Sequence, residues 1–181
     1  RTTIMKRVLF SMVLLMTVSF SFAQMKIVKE AKRAATDVNP DLRKAEQLIS
    51  EAIKNPETKD LAETWNIAGD IQKRINTEET KNAFVTKKLD TLRAYNSILK
   101  MFEYFAKCDE LAQIPDEKGK IKNKYRKANA ASLINERSNL INGGVFVFNK
   151  EQNKEALKFF ATYVESASYP MLADQEIAKK D

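Results

Sequence analysis

Residues 139–168 read NLINGGVFVFNKEQNKEALKFFATYVESAS, and the fold class turns on how they are divided. Over 154–167, Leu157, Phe160, Ala161 and Val164 recur at helical spacing, which predicts a helix with those four side chains inward. The first half is harder. Val145-Phe146-Val147-Phe148 follows Gly143-Gly144 and, taken alone, resembles an edge strand. Four residues carry no period. Their neighbours are helical on both sides, and a lone strand has nothing to pair with. The segment is therefore assigned to a helix over 139–149 with Ser138 as its cap. The whole stretch becomes two helices joined by a polar turn.

The same period extends outward. Residues 25–37 set Ile27, Ala31, Ala34 and Ala35 on one narrow face, and Asn39-Pro40 breaks that helix. Asp41 starts a second, with Leu42, Ala45, Leu48, Ile49, Ala52 and Ile53 apolar, closed by Asn55-Pro56. A third runs over 60–76 with Leu61, Trp65, Ala68, Ile71 and Ile75 on one side. Asn76 to Lys88 is polar and reads as a loop or a short extra turn of helix. Asp90 opens a strong amphipathic run through Leu92, Tyr95, Leu99, Phe102, Ala106 and Leu111, ended by Ile114-Pro115-Asp116. Residues 118–136 read as a basic helix, with Ile121, Tyr125, Ala128 and Ser132 on one face. A last helical stretch follows Pro170. With only 4 Gly and 4 Pro in 181 residues, a many-turned β-sandwich or barrel is excluded. The expected class is all-α, without a β-sheet.

A short helix pair cannot bury its apolar side alone, so neighbouring pairs must stack. The residues at the pair crossings carry a pattern: Ala45-x3-Ile49 before Pro56, Trp65-x2-Ala68-Gly69, Ala94-x3-Ile98, and Gly144-x2-Val147 followed by Ala156-x3-Phe160. This resembles the tetratricopeptide repeat, W-x2-L-G-x2-Y then A-x3-F then P. The match is tightest over 139–168. Ala68 stands where the family has Leu, and Gln72 and Val147 where it has Tyr. The resemblance implies antiparallel helix pairs stacked as a right-handed solenoid. Gly69 and Gly144 would allow close crossing, Ala45 and Ala156 would supply hollows, and Ile49 and Phe160 would fill the space between repeats. It also implies that the first helices of the pairs line a concave face that binds protein or peptide. The expected lining is Asn66, Asp70, Lys73 and Arg74 on one helix and Asn139, Asn142 and Phe146 on another.

The N-terminus points to export. Met5-Lys6-Arg7 precedes an uncharged apolar run over 8–23 that ends Ser21-Phe22-Ala23, the parts of a secretory signal peptide. The run falls short of the roughly 20 residues that span a bilayer as a helix. Met5 reads as the start of translation, residues 1–23 as the removed leader, and Gln24 as the mature N-terminus in a periplasmic or secreted protein. Losing Arg1, Lys6 and Arg7 from the 31 bases lowers the formal charge from +7 to +4. Neither stable membrane insertion nor a nucleic-acid partner is expected of the mature chain. Residues 24–181 read as the N-terminal part of a longer helical array.

Catalytic signatures are missing. The chain has no histidine and one cysteine, which removes Ser-His-Asp and Cys-His catalysis, His-ligated zinc and an internal disulfide. Cys108 sits on a helix as a small packed residue. Glu78-Glu79, Asp109-Glu110 and Asp116-Glu117 are adjacent in sequence and cannot flank a sugar as a glycosidase pair does. Gly143-Gly144 lacks the strand and the Lys-Ser/Thr of a phosphate loop. The expectation is a binding scaffold with no catalytic residue, metal or cofactor. The alternatives are a glycan-handling accessory protein of the cell envelope, or a support for a domain beyond residue 181. The basic run Lys118 to Lys127 reads first as a solvated helix face, and second as an electrostatic site for phosphate, anionic lipid or nucleic acid.

Overall fold

A computed structural model describes residues 25–87, 89–175 and Ile177. The expected leader over 1–23 lies outside the described residues. Among these the chain is all-helical: α1 over 25–36, α2 Leu42–Ala52, α3 Ala62–Val85, α4 Thr91–Ala112, α5 Arg126–Phe148 and α6 Asn153–Ser166, then a 3-10 turn at Pro170–Gln175. No described residue is in a strand.

The helix starts follow local chemistry. Asp41 and Asp90 each cap a helix by accepting a backbone N–H three residues on, from Lys44 and Arg93, both at 2.9 Å. Such caps satisfy donors that the first turn leaves orphaned. Val145–Phe148 is the last turn of α5, as its helical neighbours required.

Consecutive long helices run antiparallel. Early in α3, Gly69 meets Phe105 late in α4, while late in α3 Asn76 Nδ2 donates to the Ala94 carbonyl near the start of α4. A Cβ on Gly69 would lie 2.2 Å from the Phe105 ring, so only glycine admits this crossing. Gly143 and Gly144 meet Phe159 and Phe160 of α6 in the same way. Asp109 to Arg126 and Tyr95 to Phe146 fix α4 against α5. Because α4 is antiparallel to both, α3 and α5 run parallel, joined by Asn129 to Asn66 and by Lys73 to Ser132.

Burial divides into two cores. One gathers Val28, Ala31 and Ala35 of α1, Ala45, Ile49 and Ala52 of α2, and Ile67, Ala68, Ile71 and Ile75 of α3, with Tyr104 of α4. The other is built on Ile98, Met101, Phe102 and Phe105 of α4, Leu133, Leu140 and Val147 of α5, and Phe159 of α6, with Met171 and Leu172 as a lid.

Four expectations are corrected. The stretch after Asn76 is not a loop: α3 continues to Val85. It is held there by α4, through Asn76 and the ion pair of Glu79 with Arg93 at 3.4 Å. The run over 118–125 is not helical. Asp116 Oδ1 accepts from the Lys118 and Lys120 N–H groups, and Gly119 sits at φ +71°, so the chain turns instead. Ser138 caps nothing, being within α5, whose start is closed by the Asn123 side chain accepting from the Tyr125 and Arg126 N–H groups. The expected helices over 118–136 and 139–149 are thus one, and α5 pairs with α6. Finally, Leu157 and Val164 point outward, 68% and 69% exposed. Ala156, Phe159 and Ser166 are the buried side of α6.

Glu46 of α2 binds the pairs together. It accepts from Lys100 Nζ at 2.9 Å and Gln72 Nε2 at 3.2 Å, and lies 3.2 Å from Arg93. Burial alone would raise its pKa, but the hydrogen bonds from Lys100 and Gln72 and the charges of Lys100 and Arg93 outweigh it and hold it below 4.5. A depressed carboxyl stabilises the fold above its unfolded pKa and loses that contribution as pH falls through the folded value. Glu46→Gln should therefore cost about 1 kcal/mol at neutral pH. In urea titrations the gap to the parent should persist down to about pH 4.5 and close below it. A gap that stays constant to pH 3 would exclude a charge-based role.

Candidate functional site

The expected lining residues lie on α3 and α5; six of the seven, all but Asn142, border a run of neighbouring grooves. Between α1, the start of α2 and α3 runs a groove of about 750 Å³, floored by Ala35 and Leu42 and walled by Asp70, Lys73, Arg74 and Lys81. A smaller one of about 230 Å³ continues from it past Lys32, Asn66 and Arg74 to Tyr125. Toward the other ends of α3 and α5, a third of about 530 Å³ holds Asn76, Phe84, Leu89, Tyr95, Glu136 and Asn139. A fourth of about 760 Å³ lies between Asn82, Leu89, Phe146 and Lys150. Neighbouring grooves share Arg74, Thr77 and Leu89.

Not all the expected residues are open. Asn66 Nδ2 donates to Asp70 Oδ2 at 3.1 Å, and Asn66 Oδ1 accepts from Asn129 Nδ2 at 3.0 Å. Asn129 is buried and its amide also lies 3.8 Å from Cys108 Sγ. Lys73 Nζ donates to Ser132 Oγ at 2.9 Å. These bonds pin α3 to α5, so Asn66 and Lys73 are structural bridges on the groove wall. Arg74 is exposed beside them. Packing around the Asp70 carboxyl raises its pKa, against the pull of Lys73 and Arg74. On α5, Asn139 donates to Glu136 at 2.8 Å and Asn142 to Asn139 at 3.0 Å, a row of amides along the helix. Phe146 packs on Tyr95 with ring centroids 5.6 Å apart, and Lys150 Nζ lies 4.4 Å above its ring.

The repeat positions fall in the cores. Ala45, Ile49, Ala94, Ile98 and Ala156 are buried, and Trp65 stands edge-on to Tyr104 at 5.7 Å. Gly69 is matched by Phe105 of α4. Phe160 covers Gly144 inside its own pair and is half-buried.

Sequence reasoning missed the apolar end of the groove system. Phe84 is 82% exposed and Leu89 44% exposed, an apolar signal hidden in a segment read as a polar loop. Among the described residues no cluster of His, Cys, Asp or Glu could hold a metal ion, and no helix is long and apolar enough to cross a membrane. Burial, with the nearby Asp109 and Asp70 charges, pushes the Cys108 thiol up to about 12. It stays protonated at neutral pH and is a poor nucleophile. No family model, curated protein or solved structure matches this chain.

Proposed function

We propose that this chain is an exported, tetratricopeptide-like scaffold that binds a protein or peptide segment along the face formed by α1, α3 and α5, with no catalysis of its own. The observation that carries this reading is the run of linked grooves along the parallel helices α3 and α5. Their chemistry changes along the run. One end mixes Lys32 and Arg74 with Glu63 and Asp70, the stretch beyond adds Glu78 and Lys81, and the far end offers Phe84, Leu89, Tyr95 and Phe146. Exposed apolar side chains beside ordered polar ones suit an extended segment with one apolar anchor and charged flanks. The parallel course of α3 and α5, with α4 antiparallel between them, is the arrangement expected of stacked helix pairs.

The test uses protein recovered after export, whose N-terminus should be Gln24. Immobilised parent protein should retain a defined protein from cell-envelope extract. Phe84→Ser and Arg74→Glu, both at exposed positions, should each weaken retention about tenfold or more, because interface energy concentrates in a few anchors. Retention of polysaccharide alone would replace this reading with a glycan-handling one. Equal retention by both variants would move the interface elsewhere.

A further inference from the structure

The loop between α4 and α5 combines two features that the peptide-binding reading does not use. Ile114 and Ile121 are 64% and 54% exposed. Around them stand Lys118, Lys120, Lys124 and, on the first turn of α5, Lys127, all exposed. Two nearby acids are engaged within the chain, while Glu63, beside Lys124 and Tyr125, stays exposed. Asp116 takes the Lys118 and Lys120 N–H groups and pairs with Lys122 Nζ at 2.7 Å. Asp109 is occupied by Arg126 and Asn123. Glu117 is the one exposed acid within the turn.

The loop is also shaped. Asp116 N–H donates to the Lys120 carbonyl at 2.9 Å and Gly119 N–H to the Asp116 carbonyl at 2.8 Å. The turn so closed brings its two arms side by side, one carrying Ile114 and the other Ile121. Its far end is anchored by Asn123 and Arg126 on buried Asp109. The turn therefore carries exposed lysines close in sequence to two exposed apolar side chains.

We propose that this loop seats the protein on an anionic lipid surface. Ile114 and Ile121 enter the headgroup–acyl boundary while Lys118, Lys120 and Lys124 meet the lipid phosphates. Exposed apolar residues ringed by lysines are what an interfacial contact needs, since apolar burial and attraction to anionic headgroups add. A soluble polyanion would use the lysines alone and leave the isoleucines idle. The contact is peripheral and spans nothing.

The test places a probe in the loop. Cys108 is buried with a raised thiol pKa, so a Pro115→Cys variant, exposed beside Ile114 and leaving both isoleucines in place, takes a single environment-sensitive fluorophore. Phosphatidylcholine vesicles containing about a third phosphatidylglycerol should shift its emission to the blue, and pure phosphatidylcholine should not. A fluorophore at Lys154→Cys on α6 should stay unchanged, so any lipid contact made by another segment is told apart. Lys118→Gln, Lys120→Gln and Lys124→Gln together should weaken the loop's response about a hundredfold, at roughly fivefold per lysine. Ile114→Ser should weaken it further, with far-ultraviolet dichroism unchanged because the positions are exposed. No shift with anionic vesicles, or an equal shift with neutral ones, overturns the proposal. So does binding of inorganic polyphosphate as tight as that of vesicles and indifferent to Ile114→Ser, which would make the loop a polyanion site.

Discussion

Phe159→Ala lowers the unfolding free energy by about 3–5 kcal/mol, the cost of emptying a buried aromatic site. The ring is 1% exposed and stands over Gly143, where a Cβ would come within 2.7 Å of it. It has no room to be replaced from below, because the helix backbone is already the wall. Relaxation of α6 toward α5 is limited by Arg137, whose Nη2 donates to the Tyr163 carbonyl at 2.9 Å and whose guanidinium lies 3.9 Å from the Tyr163 ring. A cavity that cannot collapse carries the full penalty. Phe160→Ala, one residue on, removes a half-buried ring and should cost about 1–2 kcal/mol. Urea unfolding followed by circular dichroism measures both. Equal losses at 159 and 160 would mean that α6 is rotated from the position described.

That pair shows where the sequence was ambiguous. Two apolar stripes run along α6, one through Leu157, Ala161 and Val164 and the other through Ala156, Phe159 and Tyr163. Periodicity establishes a helix but does not say which stripe has a neighbour. The glycines of α5 centre the contact between Phe159 and Phe160, with Gly143 under the first ring and Gly144 under the second, so Phe159 is buried and Phe160 half-buried. The helices themselves were legible wherever an apolar face met a capping residue, as at Asp41 and Asp90. They were illegible where tertiary contact overrode local polarity. The last turns of α3, with Thr77, Glu78 and Lys81 exposed, persist because α4 runs alongside and binds Asn76 and Glu79. The basic run failed in the opposite way. Its lysines favour helix, but Asp116 and Gly119 offer the backbone a turn that competes with it. The expected lining residues lie on helices α3 and α5. Their division into structural bridges and open side chains depended on α3 and α5 lying side by side, which no local pattern encodes.

Arg126→Met removes the partner of a buried carboxylate and should cost about 3–5 kcal/mol. Asp109 is 5% exposed on α4, and Arg126 grips it through Nε at 2.8 Å and Nη2 at 2.7 Å. A cation in the first turn of a helix opposes the macrodipole by a few tenths of a kcal/mol up to about one. The residue is retained there against that cost because the bidentate pair is the stronger effect. Without it, Asp109 keeps only the amide of Asn123 at 2.7 Å, which cannot balance a charge out of water. Since Asn123 also closes the start of α5, the strain should spread to that helix end. Asp109→Leu alone leaves Arg126, which is a third exposed, free to turn to solvent, so its cost should be smaller. The double variant Asp109→Leu with Arg126→Met removes the stranded charge and should recover much of the loss, as replacement of buried ion pairs by apolar groups does. A double-mutant cycle on urea midpoints reads the coupling directly. Strict additivity of the two single changes would show that the pair contributes no more than a surface ion pair. Coupling above about 1.5 kcal/mol would establish it as the fastening between the second and third helix pairs.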